Sequence, residues 1–172
     1  MKILVLNGSP RPKGNTAALV NAFKMGAEKN GNDVVVMNVG TMNIKGCVAC
    51  EYCHTKGAGA CIQKDDMQNV YPEIESADVI VFATPVHYFG FSGQLESALS
   101  RFYAPVKPAK AKKFALIISS GSPNVYSGLE AQFEGILAFW EGESLGIRTA
   151  AGDENGKEST FAELMAFGES IK

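Results

Sequence analysis

Residues Gly8-Ser9-Pro10-Arg11-Pro12-Lys13-Gly14-Asn15-Thr16 follow the apolar run Ile3-Leu4-Val5-Leu6 and lead into a helical pattern that begins at Ala17. An unbroken leucine and β-branched run reads as a parallel strand buried on both faces. Gly8 and Gly14 permit tight turns, and Asn15 or Thr16 can cap the helix that follows. A strand, a glycine-rich loop and a helix start in succession make an anion site, because the first amides of a helix lack partners and lie at the positive end of its dipole. Ser9, Arg11, Lys13, Asn15 and Thr16 crowd further donors around the same point. Two commoner phosphate motifs do not fit. A nucleoside-triphosphate loop needs Lys and then Ser or Thr after its last glycine, and a dinucleotide fingerprint needs three spaced glycines. A terminal phosphate therefore suits the loop better than a pyrophosphate. An ordinary capped strand-to-helix turn is the plainer alternative, and the density of donors argues against it.

The rest of the composition narrows the class. A chain of 172 residues, 46% hydrophobic and 20% charged, is expected to form a single domain over residues 1–172 with one core. A net charge of −2 gives no reason to expect nucleic acid or an anionic membrane as partner. Met1 leads directly into a strand and no stretch reads as a signal peptide or a membrane span, so the expected location is cytoplasmic.

Beyond the first loop, apolar positions from Ala18 to Ala27 recur at helical spacing up to a stop at Asn30-Gly31. Asp33 to Val39 reads as a second strand. A polar, glycine-rich excursion then runs to Lys64, with a cysteine-rich loop over residues 45–64; so long a stretch without a pattern inside a compact domain implies a functional loop. A helix from Asp65-Asp66 to Ala77 has acidic residues at its positive end and a possible kink at Pro72. Val79 to Ala83 is a third strand, followed by the loop Thr84–Gly93 and a helix over Gln94–Phe102. Residues 105–113 read as an exposed connection, Phe114 to Ile118 as strand four, Ser119 to Gly128 as a further loop. A helix through Leu129 and Trp140, a weak strand at Ile147–Ala151 and a helix at Phe161–Ile171 complete the chain. Strands alternating with helices, the strands buried on both faces, predict an α/β doubly wound parallel sheet. Ligands bind such sheets at the carboxyl ends of the strands, where strands one, three and four all end in glycine-rich loops.

These residues resemble the flavodoxin-like NAD(P)H-dependent FMN reductases, and within them the iron-sulfur flavoproteins. The resemblance rests on GSPRPKGNT, on the cysteine loop GCVACEYCHTKGAGACIQKDDM and on ADVIVFATPVHYFGFSGQLESALSR. It implies a five-stranded sheet of order 2-1-3-4-5 and an FMN whose phosphate meets Ser9, Arg11, Gly14, Asn15 and Thr16. It also implies a flavin ring flanked by Pro85, Val86, His87, Tyr88, Phe89 and Gly90 and covered on its other side by Ser119, Ser120 and Gly121. It further implies NAD(P)H as co-substrate and assembly as a homodimer or homotetramer. The chain departs from the family pattern at His87, where Tyr commonly follows Pro-Val, and at Glu96 and Ser100, which replace a frequent Lys and the Asp before Arg101.

All four cysteines, Cys47, Cys50, Cys53 and Cys61, fall in one loop with spacing C-x2-C-x2-C-x7-C. In an intracellular chain such clustering suggests metal or redox chemistry more than a disulfide framework. Bacterial ferredoxins wrap a [4Fe-4S] cluster with a comparable compact run, whereas a four-cysteine zinc site usually comes as two separated CxxC knuckles. Reduced thiols or a local disulfide are the plainer reading. His54, beside Cys53, reads as a surface residue, and His87 as either a flavin or substrate contact or a structural loop residue.

The leading function is an FMN-dependent oxidoreductase that passes electrons from NAD(P)H or another reductant to a small-molecule or redox-protein acceptor, in one route through the cluster. Because the cofactor carries the chemistry, no side chain is assigned as catalytic. The alternatives are a flavodoxin-like electron carrier without turnover of its own and a phosphate- or metal-sensing module.

Overall fold

The computed structural model describes residues 1–172. Five parallel strands, β1 (Lys2–Asn7), β2 (Asp33–Met37), β3 (Val79–Pro85), β4 (Lys113–Ser120) and β5 (Glu143–Ala151), lie in the order β2-β1-β3-β4-β5. Six helices surround them: α1 (Asn15–Lys29), the short α2 (Tyr52–Thr55), α3 (Met67–Ser76), α4 (Gly93–Ser100), α5 (Ser127–Trp140) and α6 (Glu158–Glu169). This is the flavodoxin-like arrangement expected from the sequence.

Alternation along the central strands explains their unbroken apolar runs. Leu4, Leu6, Ile80, Phe82, Leu116 and Ile118 pack with residues of α3, α4 and α5, including Val70, Leu95, Phe133 and Trp140. Ile3, Val5, Val79, Val81, Ala115 and Ile117 pack on the opposite face with Leu19 and Phe23 of α1 and Leu164 and Phe167 of α6. With both faces covered, every position of a central strand must be apolar. Helices α1 and α6 come into backbone contact, and a Cβ on Gly26 or Gly168 would strike the Met165 or the Phe23 carbonyl.

Several boundaries differ from the sequence reading. Strand β2 stops at Met37, where the chain turns so that the Gly40 amide donates to the Asn7 carbonyl at 2.9 Å. Strand β5 begins four residues earlier than its apolar pattern suggests, because a register shift opposite Phe114/Ala115 and a positive φ of 119° at Gly146 break the alternation without ending the pairing. Helix α3 runs through Pro72, and α6 starts at Glu158 rather than Phe161.

Candidate functional site

The loops after β1, β3, β4 and β5 close around a cleft of about 540 Å³ at the carboxyl edge of the sheet, walled by Ser9, Pro10, Arg11, Gly14, Asn15, Thr16, Pro85, Val86, His87, Ser119, Ser120, Gly121, Gly152 and Asn155. Strand order reverses between β1 and β3, which is where open α/β sheets bind ligands. Eleven of these residues are those expected from the sequence. Pro10, Gly152 and Asn155 are additions, the last two from the turn after β5, where the sequence shows only a polar stretch.

The first loop is held by its own polar groups. The Ser9 amide donates to the Asn7 side-chain carbonyl at 3.1 Å, and the Arg11 amide to Ser9 Oγ at 3.2 Å. Ser9 Oγ in turn donates to the Arg11 carbonyl, and Thr16 Oγ1 shares a 2.7 Å hydrogen bond with Ser119 Oγ. Both hydroxyls thus build the site's frame. Helix α1 is capped by Gly14 and not by Asn15 or Thr16, carries no side-chain cap and has no acidic residue in its first turn. Its orphan amides are left for a ligand. Arg11 and Asn15 stand exposed beside them. Neither Gly8 nor Gly14 is required by a positive φ. Space requires them: a Cβ on Gly8 would come within 2.6 Å of Leu95 Cβ, and one on Gly14 within 2.9 Å of Arg11 Cβ. Ser92 completes the frame by donating to the Gly8 carbonyl at 2.7 Å while capping α4 through the Leu95 amide.

The loop after β3 is a two-residue turn. His87 and Gly90 exchange backbone hydrogen bonds at 3.0 and 3.2 Å, and Tyr88 and Phe89 between them have φ of 49° and 66°. Positive φ at both central positions is the type I′ requirement, normally met by Asn-Gly. It turns the two aromatic rings outward, Tyr88 98% and Phe89 61% exposed. Tyr88, Phe89 and Gly90 are therefore not on the cleft wall, whereas Pro85, Val86 and His87 are.

On the far wall, Asn155 Nδ2 donates to the Ser120 and Gly152 carbonyls, both at 2.9 Å, which fixes the amide's orientation. Its buried Oδ1 has no partner.

A second pocket lies over the β2–α3 connection. Cys47, Cys50, Cys53 and Cys61 all line it, with Glu51, Gln63, Arg101 and Tyr103 among the other walls, around a cavity of about 10 Å³. Cys47 and Cys50 are exposed, Cys53 is buried and Cys61 half-buried. Burial pushes the Cys53 thiol up. Although it lacks a repeating pattern, the loop is tightly stapled. The Cys47 amide donates to Ser100 Oγ at 3.0 Å, the Asn43 amide to Asp66 Oδ2 at 2.7 Å, and Tyr103 Oη to Glu51 Oε1 at 2.7 Å. His54 Nε2 lies 2.9 Å from the Tyr103 carbonyl, which ties it to the frame. Beneath the thiols, Arg101 Nη1 pairs with Asp65 Oδ2 at 2.7 Å, both side chains almost wholly buried. Burial alone would raise the Asp65 carboxyl, but Arg101 and the Lys45 and Met67 amides outweigh it and hold the carboxyl below its usual range. Asp65 and Arg101 carry no function in the sequence reading; an acidic pair opening a helix gives no sign of a buried cation 36 residues further along the chain.

No three His, Cys, Asp or Glu side chains are grouped to hold a metal ion. Tetrahedral zinc thiolates need Zn–S of about 2.3 Å and so sulfurs roughly 3.8 Å apart. The four thiols share the lining of the pocket without such a grouping.

The family model described as NADPH-dependent FMN reductase matches residues 1–153. This chain belongs to the NADPH-dependent FMN reductase family. An iron-sulfur flavoprotein of Methanocaldococcus jannaschii is 38% identical over 101 residues, 59% of this chain and 50% of that protein. One from Archaeoglobus fulgidus is 32% identical over 143 residues, 80% of this chain and 70% of that protein. The chain thus spans about half the length of the first of these relatives. Among solved structures, RosB with its bound intermediate 8-demethyl-8-formylriboflavin-5'-phosphate superposes with a TM-score of 0.81 at 16% identity, covering 99% of this chain and 76% of that one. At that identity the likeness speaks for the fold. No helix is long and apolar enough to cross a membrane.

Proposed function

We propose that this member of the FMN reductase family binds FMN in the cleft at the sheet edge, takes electrons from NAD(P)H and delivers them to a small-molecule or protein acceptor. The observation that carries this reading is the start of α1: uncapped, free of acidic side chains and flanked by Arg11 and Asn15, it offers a dianion amide and side-chain donors at one point. Bound FMN supplies the redox chemistry. The chain's share is to bind and orient it. The α1 amides, Arg11 and Asn15 hold the phosphate, while Ser9 and Thr16 keep the loop in shape through their bonds to Arg11 and Ser119. Pro85, Val86 and His87 on one side, and Ser119, Ser120 and Gly121 on the other, bound the space for the ring. Tyr88 and Phe89 stand at the mouth and meet an approaching substrate or partner.

The cysteine pocket is read as a [4Fe-4S] site held by Cys47, Cys50, Cys53 and Cys61. Its support is the all-thiol donor set around one pocket and the names of the two relatives. Such a cluster passes single electrons. A homodimer or homotetramer in the cytoplasm completes the proposal.

The test is an absorption spectrum of anaerobically purified protein, followed by NAD(P)H oxidation with free acceptors. Flavin and iron-sulfur bands with turnover support the whole reading. Flavin bands without turnover favour an electron carrier, and a protein that remains colourless after FMN is added overturns it.

A further inference from the structure

Arg101 is among the largest side chains fully buried in the protein, with 1% of its surface exposed. One nitrogen makes all its side-chain hydrogen bonds: Nη1 donates to the Lys45 carbonyl at 2.9 Å and to Asp65 Oδ2 at 2.7 Å. Nε and Nη2 are buried with no partner. Arginine ordinarily meets a carboxylate with two parallel bonds. Asp65 does not do so, because its oxygens also accept the Lys45 amide at 3.0 Å and the Met67 amide at 3.2 Å. Two charged N–H donors left over in the interior are costly unless something accepts from them. They belong to a residue that lines the same pocket as Cys47, Cys50, Cys53 and Cys61.

We propose that Arg101 donates through Nε and Nη2 to sulfur of the centre held by the four cysteines, and thereby raises that centre's reduction potential; this rests on the iron-sulfur reading above. Four thiolates on an iron-sulfide core carry net negative charge, and reduction adds to it. A buried cation with N–H···S bonds stabilises the reduced form more than the oxidised one, since cluster charge and hydrogen bonds to sulfur are among the determinants of potential. Asp65 holds the guanidinium in place through Nη1 and leaves Nε and Nη2 free. Tyr71, whose hydroxyl donates to the Arg101 carbonyl at 3.2 Å, braces the same turn.

The chain has three arginines, Arg11, Arg101 and Arg148. Arg11 is in the first loop and Arg148 lies over the Phe167 ring, so arginine labelling reports on Arg101 alone at this pocket. Wild-type protein labelled with 15N-arginine is reconstituted anaerobically, its iron and acid-labile sulfide are counted, and the reduced sample is read by electron-nuclear double resonance. A full cluster with a 15N coupling supports the proposal. A full cluster with no such coupling overturns it and leaves the cluster reading standing, whereas protein that takes up no cluster overturns both. Arg101→Lys keeps a charge beside Asp65 and removes the free donors. It is expected to shift the reduction equilibrium toward the oxidised form about tenfold, a fall of about 59 mV in midpoint, at unchanged iron content; an unchanged midpoint contradicts the proposal. Should that variant fail to fold, the labelled wild type decides alone.

Discussion

The hydroxyls of Thr16 and Ser119 meet at 2.7 Å across 103 residues of sequence, both buried. This bond locks the loop after β1 to the loop after β4, so the phosphate end of the cleft and one wall of the ring space move as one piece. Thr16→Val keeps the shape and strands the Ser119 hydroxyl. A buried polar group left unsatisfied costs about 1–3 kcal/mol. Urea unfolding is expected to show a loss of that size, with weaker FMN binding alongside; an unchanged midpoint denies the bond its role.

Asp65 and Arg101 form the other buried link. Removing one partner of such a pair costs about 3–5 kcal/mol, because a charge stays behind, and Asp65→Asn is expected to lose that much in urea unfolding. The pH dependence has a definite sign. The folded carboxyl titrates below its unfolded value, so its contribution is present above the usual carboxylate range and disappears as pH falls through the lowered folded value. The wild type should therefore lose stability as pH falls below the usual carboxylate range, and the Asn variant should lose less over the same interval. Parallel curves would contradict the assignment.

Tyr88 and Phe89 occupy backbone positions that suit Asn-Gly. Left-handed φ at non-glycine residues costs on the order of 1–3 kcal/mol each. The double substitution Tyr88→Asn with Phe89→Gly is expected to raise the thermal midpoint while lowering the rate with an external acceptor. A lower thermal midpoint would show that the rings stabilise the fold despite their exposure.

How much of this was legible in the sequence follows from how local each signal is. The strand β1, its loop and α1 were readable because a buried parallel strand and a helix start each leave a mark within a few residues. Strand β5 was underread because the break at Gly146 hides its alternation. The outward rings of Tyr88 and Phe89 follow from two positive φ angles that aromatic residues do not advertise. Asn155 and the Arg101–Asp65 pair depend on contacts 35 and 36 residues apart, which no local pattern encodes. The cysteine spacing announced a site, but the polar staples from Ser100, Asp66 and Tyr103 that shape it were not visible.

Phosphate recognition by the Gly8–Thr16 loop is most directly measured by titrating the apoprotein with FMN, riboflavin and FAD and following flavin fluorescence. FMN is expected to bind far more tightly than riboflavin and at least as tightly as FAD, and Arg11→Ala should weaken FMN roughly 10- to 100-fold while leaving riboflavin unaffected. Equal affinity for FMN and riboflavin, or the same loss for both in the Arg11 variant, would contradict a phosphate site at the start of α1.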